Sequence, residues 1–310
     1  MGIGLLFPGQ ASQFPGMGKD LHDAYPAARE VFREASEALG FSVAELCFSG
    51  SEEDLRRTEN TQPSIFTVSV AAYRVLEEET GIRPLCAAGH SLGEYSALAA
   101  SGALSLFDAV RLLRSRGRYM QEAVPLGEGA MAAVIGLSPD AVTAVCRDAG
   151  RKGVVEPANF NGGNQIVISG SAAAVAAACE AAKSAGAKMV MPLPVSAPFH
   201  CSLMKPAALR LAPELRAVHP GKFAFPVVAN VTAETYRQGE GVAETLLRQI
   251  VSPVRWEECV RRMRAMGVTS FLEVGPGKVL SGLVRRIERD VPAAVFCAPA
   301  DLPAVRSLSG

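Results

Sequence analysis

Apolar and polar positions along this chain switch between two periods, and the switches divide it into elements. Ile3 to Phe7 is a short continuous apolar run that stops at Pro8, which predicts a buried strand. Residues 20–60 carry helical patterns separated by polar turns. Thr61-Gln62-Pro63 then reads as a helix start, with Thr61 or Gln62 near the N-cap and Pro63 in the first turn, followed at helical spacing by Ile65, Val68, Ala72 and Leu76. Pro84 to Ala88 predicts a second strand, and Glu94 to Ala100 a helix that stops near Gly102.

The stretch from Leu106 to Glu122 can be tested residue by residue. At about 100° per residue with Leu113 as zero, Leu106, Ala109, Val110, Leu112, Gly117 and Met120 fall within about 100° of it and form the buried face. Arg116 falls inside that stripe at about −60°, whereas Arg111, Arg114 and Arg118 fall on the other side. A buried charge stripped of its partner costs roughly 3–5 kcal/mol. Arg116 therefore needs an internal carboxylate, a ligand anion, or a route along which its head snorkels to the surface.

Between Gly127 and Val195 the order becomes strand (Ala130–Ile135), helix (Pro139–Ala149), strand (Val154–Ala158), strand (Gln165–Ser169), helix (Ala172–Ala185) and strand (Met189–Leu193). Ser138 and Ser171 are in place to cap the two helices, and Gly150 and Gly186 to end them. A βαββαβ order over about 65 residues is the ferredoxin-like unit. Beyond it lie a strand over Pro226–Val231, a helix around Ala243–Ile250, a helix after Trp256 and a strand over Ser270–Val274. The expected architecture is an α/β-hydrolase-like domain with a parallel sheet, residues 1–126 and 196–310, carrying a small ferredoxin-like subdomain inserted at 127–195. Gly275-Pro276-Gly277-Lys278 lacks the spacing of a phosphate loop and reads as a rigid turn.

Composition narrows the partners. Among the 310 residues, 31 Lys and Arg balance 31 Asp and Glu, so bulk charge selects neither nucleic acid nor an anionic membrane, and an anionic ligand must be met locally. The seven cysteines are scattered, with no C-x-x-C pair and no metal spacing with histidine, as in small core residues of a reducing compartment. No signal peptide, lipidation motif or membrane-length apolar stretch is present, so a cytoplasmic protein without a metal is expected.

Chemistry concentrates at Gly89-His90-Ser91-Leu92-Gly93, a G-x-S-x-G pattern between a predicted strand and a predicted helix. That context places Ser91 on a sharp turn at a helix N-terminus, where backbone amides are available. Of the four histidines, His22 and His219 lie in polar surface contexts, His90 sits in the turn itself, and His200 follows a bend at Pro198 that suits presentation into a cleft. No acid between Ser91 and His200 stands at a strand end as a triad acid would, so a backbone carbonyl or an amide is expected to orient His200.

Gly9-Gln10-Ala11-Ser12-Gln13, Thr61-Gln62-Pro63, Gly89 to Leu98, Arg116 to Gln121, Asn159-Phe160-Asn161, Phe199-His200-Cys201 and Glu273 to Gly277 occur together in order. In this the chain resembles malonyl-CoA:acyl carrier protein transacylases over nearly its whole length. The resemblance implies Ser91 as the nucleophile that becomes malonylated and His200 as general base and acid. It implies the Gln10 and Leu92 amides as oxyanion hole and Arg116 as the ligand of the free malonyl carboxylate. Gln249 would orient His200 through its main-chain carbonyl, Phe199 would select malonyl over methylmalonyl, and Asn159 and Asn161 would lie near the site. The implied partners are malonyl-CoA as thioester substrate and an acyl carrier protein bearing phosphopantetheine, with no permanently bound cofactor and a monomeric chain supplying fatty acid synthesis. A polyketide-serving acyltransferase and a serine acyl hydrolase are the rival enzymes.

Overall fold

The computed structural model describes residues 2–195, 197–237 and 241–309. In chain order its strands are β1 (Ile3–Phe7), β2 (Cys86–Gly89), β3 (Gly129–Ile135), β4 (Val155–Gly162), β5 (Gln165–Ser171), β6 (Met189–Pro192), β7 (Val227–Val228), β8 (Ser270–Val274) and β9 (Ala293–Phe296). The first helices are α1 (Lys19–Ala24), α2 (Pro26–Leu39), α3 (Val43–Ser49), α4 (Glu52–Arg56), α5 (Thr58–Thr80), α6 (Gly93–Ala100) and α7 (Leu106–Glu122). They are followed by α8 (Pro139–Ala149), α9 (Ala172–Ser184), α10 (Lys205–Ala217), α11 (Val242–Val251), α12 (Trp256–Ala265), α13 (Val279–Ile287) and α14 (Leu302–Ser309).

A parallel sheet runs in the order β7-β2-β1-β8-β9. Every residue of β1, β2 and β8 is buried, as parallel strands covered on both faces require. Strand alternation sends Leu5, Phe7, Ala87 and Leu272 to the face packed by α2, α5 and α7, and Leu6, Ala88 and Phe271 to the face packed by α12 and α13. The loops after β1, β2, β7 and β8 all leave the carboxyl edge of this sheet, which is where ligands bind in open α/β folds.

The second sheet is antiparallel in the order β4-β5-β3-β6 and has its own apolar core under α8 and α9, built from residues such as Val134, Ile168, Val175 and Ala178. Chain order and strand order together are ferredoxin-like. Strand β4 is joined to the segment between α11 and α12, where Phe160 N donates to Val254 O and Val254 N to Ala158 O, each at 2.9 Å.

Four local expectations change. The helix expected from Thr61 begins at Thr58, placing Pro63 inside α5, and the Glu59 carbonyl that Pro63 cannot satisfy accepts from Arg114 Nη1 at 2.9 Å. Strand β4 continues past Ala158 to Gly162, because β5 on one side and Val254 on the other pair a stretch whose asparagines favour turns. Strand β7 is only Val227–Val228, because the Asn230 amide turns away to the Glu94 carboxylate. Ser138 caps α8 as expected, but the Ser171 hydroxyl donates to Val154 O and accepts nothing from α9.

Candidate active site

Ser91 has φ 54°, in the left-handed region that costs a non-glycine residue of order 1–3 kcal/mol. The tight turn demands glycine on both sides: a Cβ on Gly89 would lie 1.8 Å from the Gly93 carbonyl oxygen, and one on Gly93 would lie 2.2 Å from that of Phe7. Two distant side-chain amides hold this backbone. Asn230, in the loop after β7, accepts from Ser91 N at 2.8 Å through Oδ1 and donates to Gly89 O at 2.7 Å through Nδ2. Gln249, on α11, donates from Nε2 to Ser91 O at 2.8 Å.

Ser91 Oγ lies 2.7 Å from His200 Nε2. His200 Nδ1 lies 2.9 Å from the main-chain carbonyl of Gln249, which can only accept, so Nδ1 carries the ring proton and Nε2 is free to take that of Ser91. Burial, reinforced by the nearby Arg116 cation, pushes the His200 imidazole down to about 3, so it is neutral at neutral pH. The orienting group is a carbonyl, as the lack of a triad acid suggested.

Arg116 is 1 % exposed, which excludes snorkelling. Its Nη1 donates to Gln62 Oε1 and its Nη2 to Gln249 Oε1, both at 2.8 Å, and Nη2 also reaches Ser91 Oγ at 3.3 Å. Among the described residues no carboxylate forms an ion pair with it and its Nε has no partner, which removes the internal salt bridge as well. A fixed cation thus stands beside Ser91 Oγ with a donor to spare.

The amides of Gln10 and Leu92 donate to no intramolecular acceptor among the described residues, so both are available to an oxyanion. His90 N donates to Phe7 O at 3.0 Å, tying the turn to the start of the Gln10 loop. Phe199 is buried beside His200. Asn161 Oδ1 meets His90 Nε2 at 3.0 Å, and Asn159 pairs through its backbone with Val167 and Val254, so these two belong to the frame of the site and are not brought to its reacting atoms. A groove of about 1230 Å³ opens beside Gln10, between the α4–α5 junction, the end of α7 and the segments 124–127 and 193–195.

Three residues of the site escaped the reading of the sequence: Gln62, Asn230 and Glu94. Gln62 was hidden as a helix start and Asn230 in a loop without a motif. Glu94 is fully buried, and burial pushes its carboxyl up to about 7 against the hydrogen bonds it receives. It had a visible signal, being the only Asp, Glu, Lys or Arg between Arg83 and Asp108.

A strained serine on a strand-to-helix turn, a neutral histidine on its hydroxyl and two free amides have the geometry that serine acyl transfer on an α/β fold requires. The chain belongs to the acyl transferase domain family, which matches it over residues 5–297. It is 50% identical over 300 residues to the malonyl CoA-acyl carrier protein transacylase of Bacillus subtilis strain 168, covering 96% of this chain and 94% of that one. The crystal structure of an acyl carrier protein S-malonyltransferase from Vibrio cholerae superposes with a TM-score of 0.95 at 44% identity, over 98% of this chain and all of the other. A malonyl-transacylase solved in complex with its type II polyketide synthase acyl-carrier protein gives a TM-score of 0.96 at 44% identity, over 99% of this chain and all of the other.

Proposed function

We propose that the protein moves a malonyl group from malonyl-CoA to the phosphopantetheine thiol of an acyl carrier protein through a malonyl-Ser91 intermediate, supplying fatty acid synthesis. The observation that carries this reading is Arg116. A hydrolase of neutral acyl groups has no use for a buried guanidinium 3.3 Å from its nucleophile, whereas a short acyl chain ending in a carboxylate does.

In the first half-reaction His200 Nε2 takes the Ser91 proton as Oγ attacks the thioester carbonyl. The oxyanion is received by the Gln10 and Leu92 amides, where loss of one donor costs about 10²–10³ in rate. Collapse breaks the C–S bond, and the departing CoA sulfur takes the proton back from His200. The second half-reaction runs the same steps in reverse with the carrier thiol as nucleophile. Throughout, Arg116 holds the malonyl carboxylate, Gln249 O holds His200 Nδ1, and Phe199 narrows the space beside the acyl group. We take residues 127–195 as an inserted subdomain that walls the acyl-serine off from water, in view of its separate sheet and core.

A polyketide carrier is the second reading, favoured by the likeness to a transacylase solved with such a carrier. The decisive experiment incubates the protein with malonyl-CoA and follows the intact mass. A malonyl adduct on Ser91 that persists until holo-acyl carrier protein discharges it is expected; an adduct that hydrolyses equally fast with and without carrier makes the protein a hydrolase.

A further inference from the structure

Glu94 is a buried acid at the centre of the site for which the steps above have no use. Its Oε1 accepts from the Tyr236 hydroxyl, and its Oε2 accepts from Gln249 Nε2 at 2.7 Å and from Asn230 N at 3.2 Å. None of these donors is cationic. Arg116, the buried cation of the site, donates only to the amide oxygens of Gln62 and Gln249 and the Ser91 hydroxyl among the described residues, and its guanidinium lies 5.7 Å from the centroid of the Tyr95 ring. The two opposite charges therefore share one residue, since Gln249 gives Nε2 to Glu94 and Oε1 to Arg116. An ionised carboxylate only accepts and a guanidinium only donates, so the two ions fix the orientation of the amide between them. Charges held one amide apart away from water act on each other far more strongly than at a surface.

We infer that Glu94, acting through Gln249, is the resident counter-charge of Arg116 and sets how strictly the site demands a free carboxylate on the acyl group. This rests on the reading of Arg116 as the acyl-carboxylate site. With an acyl group that lacks a carboxylate, Glu94 alone balances the cation, and His200 can take up a proton during acylation. With malonyl, two anions share one cation. Glu94 is accordingly a positioning residue that touches no reacting atom, and its charge permits turnover without a substrate carboxylate.

Glu94 also has a titration to be watched. The other titratable groups around it are Arg116, Tyr95, Tyr236 and Cys259; burial raises both tyrosines and the cysteine and lowers the arginine. The two site histidines are depressed by burial. Glu94, raised to about 7, is the group of this set that changes charge near neutral pH, and it is neutral below that value.

The test compares kcat/KM for malonyl-CoA with that for acetyl-CoA, using the full chain and holo-acyl carrier protein, whose own thiol titration cancels in the ratio. Gln at position 94 keeps an acceptor for Gln249 and Asn230 while removing the charge. Glu94→Gln is expected to raise the malonyl-to-acetyl ratio about tenfold or more, mainly through loss of acetyl transfer. Glu94→Asp keeps the charge and should leave the ratio within about threefold of the parent even where both rates fall. In the unmodified protein the ratio should climb as pH drops from about 8 to about 6, and this slope should vanish in Glu94→Gln. Equal losses for both acyl groups in Glu94→Gln would make Glu94 a packing anchor and overturn the inference. Should that variant not fold, a flat ratio across the pH series of the unmodified protein overturns it instead. Arg116→Ala separates the two readings: if it leaves the ratio unchanged, the carboxylate site itself has failed, and if it abolishes discrimination while Glu94→Gln does not alter it, only the counter-charge has failed.

Discussion

Replacing Arg116 by alanine removes the one cation among the described residues within hydrogen-bond reach of Ser91 Oγ, and the size of the effect can be worked from its contacts. Two of its nitrogens, Nη1 and Nη2, are already committed to Gln62 and Gln249, and Nε is unpartnered. A malonyl carboxylate gains charge-assisted hydrogen bonds of about 1.5–3 kcal/mol each. Two of them amount to about 3–6 kcal/mol, or a loss of about 10²–10⁴ in kcat/KM for malonyl-CoA. Acetyl-CoA makes no such contact. For it, removing the cation relieves His200, whose imidazole the guanidinium helps to depress, so acetyl transfer should hold steady or rise. The protein itself gives up two acceptors, Gln62 Oε1 and Gln249 Oε1, at a cost of about 1–3 kcal/mol each. That loss is opposed by no longer burying a guanidinium, so the variant is expected to stay folded. Single-turnover acylation followed by intact mass, with malonyl-CoA and acetyl-CoA in parallel, reads the comparison directly. A fall of equal size for both substrates would refute the reasoning and reduce Arg116 to a structural side chain.

Asn230→Ala removes the acceptor for Ser91 N and the donor to Gly89 O, leaving Gln249 as the one side-chain amide that still holds the left-handed turn at Ser91. Acylation should slow by about 10²-fold, with KM for malonyl-CoA little changed, in steady-state assays; an unchanged kcat contradicts this. His200 and Glu94 titrate with opposite signs. The His200 imidazole lies at about 3 in the folded protein against an ordinary value of 6.5, so its contribution to stability is present above about pH 6.5 and fades as pH falls toward 3. Glu94, raised from 4.5 to about 7, loses its contribution as pH rises from about 4.5 to 7. His200→Asn should therefore gain stability relative to the parent as pH drops below about 6.5, by up to about 1.4 kcal/mol per pH unit; melting curves that shift in parallel between the two proteins would show that His200 is not held neutral.

The most legible parts of the sequence were those in which one local rule decides the outcome. Helix α7 runs from Leu106 to Glu122 as its period predicts, and among its four arginines only Arg116 is buried. The glycines around Ser91 announced the turn because no other residue fits between its own backbone atoms. Illegible were the residues whose role is set by distant partners. Nothing near Asn230 in the chain hints at a contact with Ser91, 139 residues away, and nothing near Gln62 hints at Arg116. The β4 extension was hidden for the same reason, since Val254 supplies the pairing that Asn159 and Asn161 would not attract alone.

The side chains that grip the Ser91 turn come from far along the chain. Asn230 lies 139 residues beyond Ser91, Gln249 lies 158 residues beyond it, and His200 lies 109 residues beyond it. A chain that ends before Asn230 lacks both side-chain amides that hold the G-x-S-x-G backbone, and one that ends before Gln249 leaves the imidazole unoriented. The geometry of the turn and its imidazole is therefore complete only once residues of the last third of the polypeptide have docked.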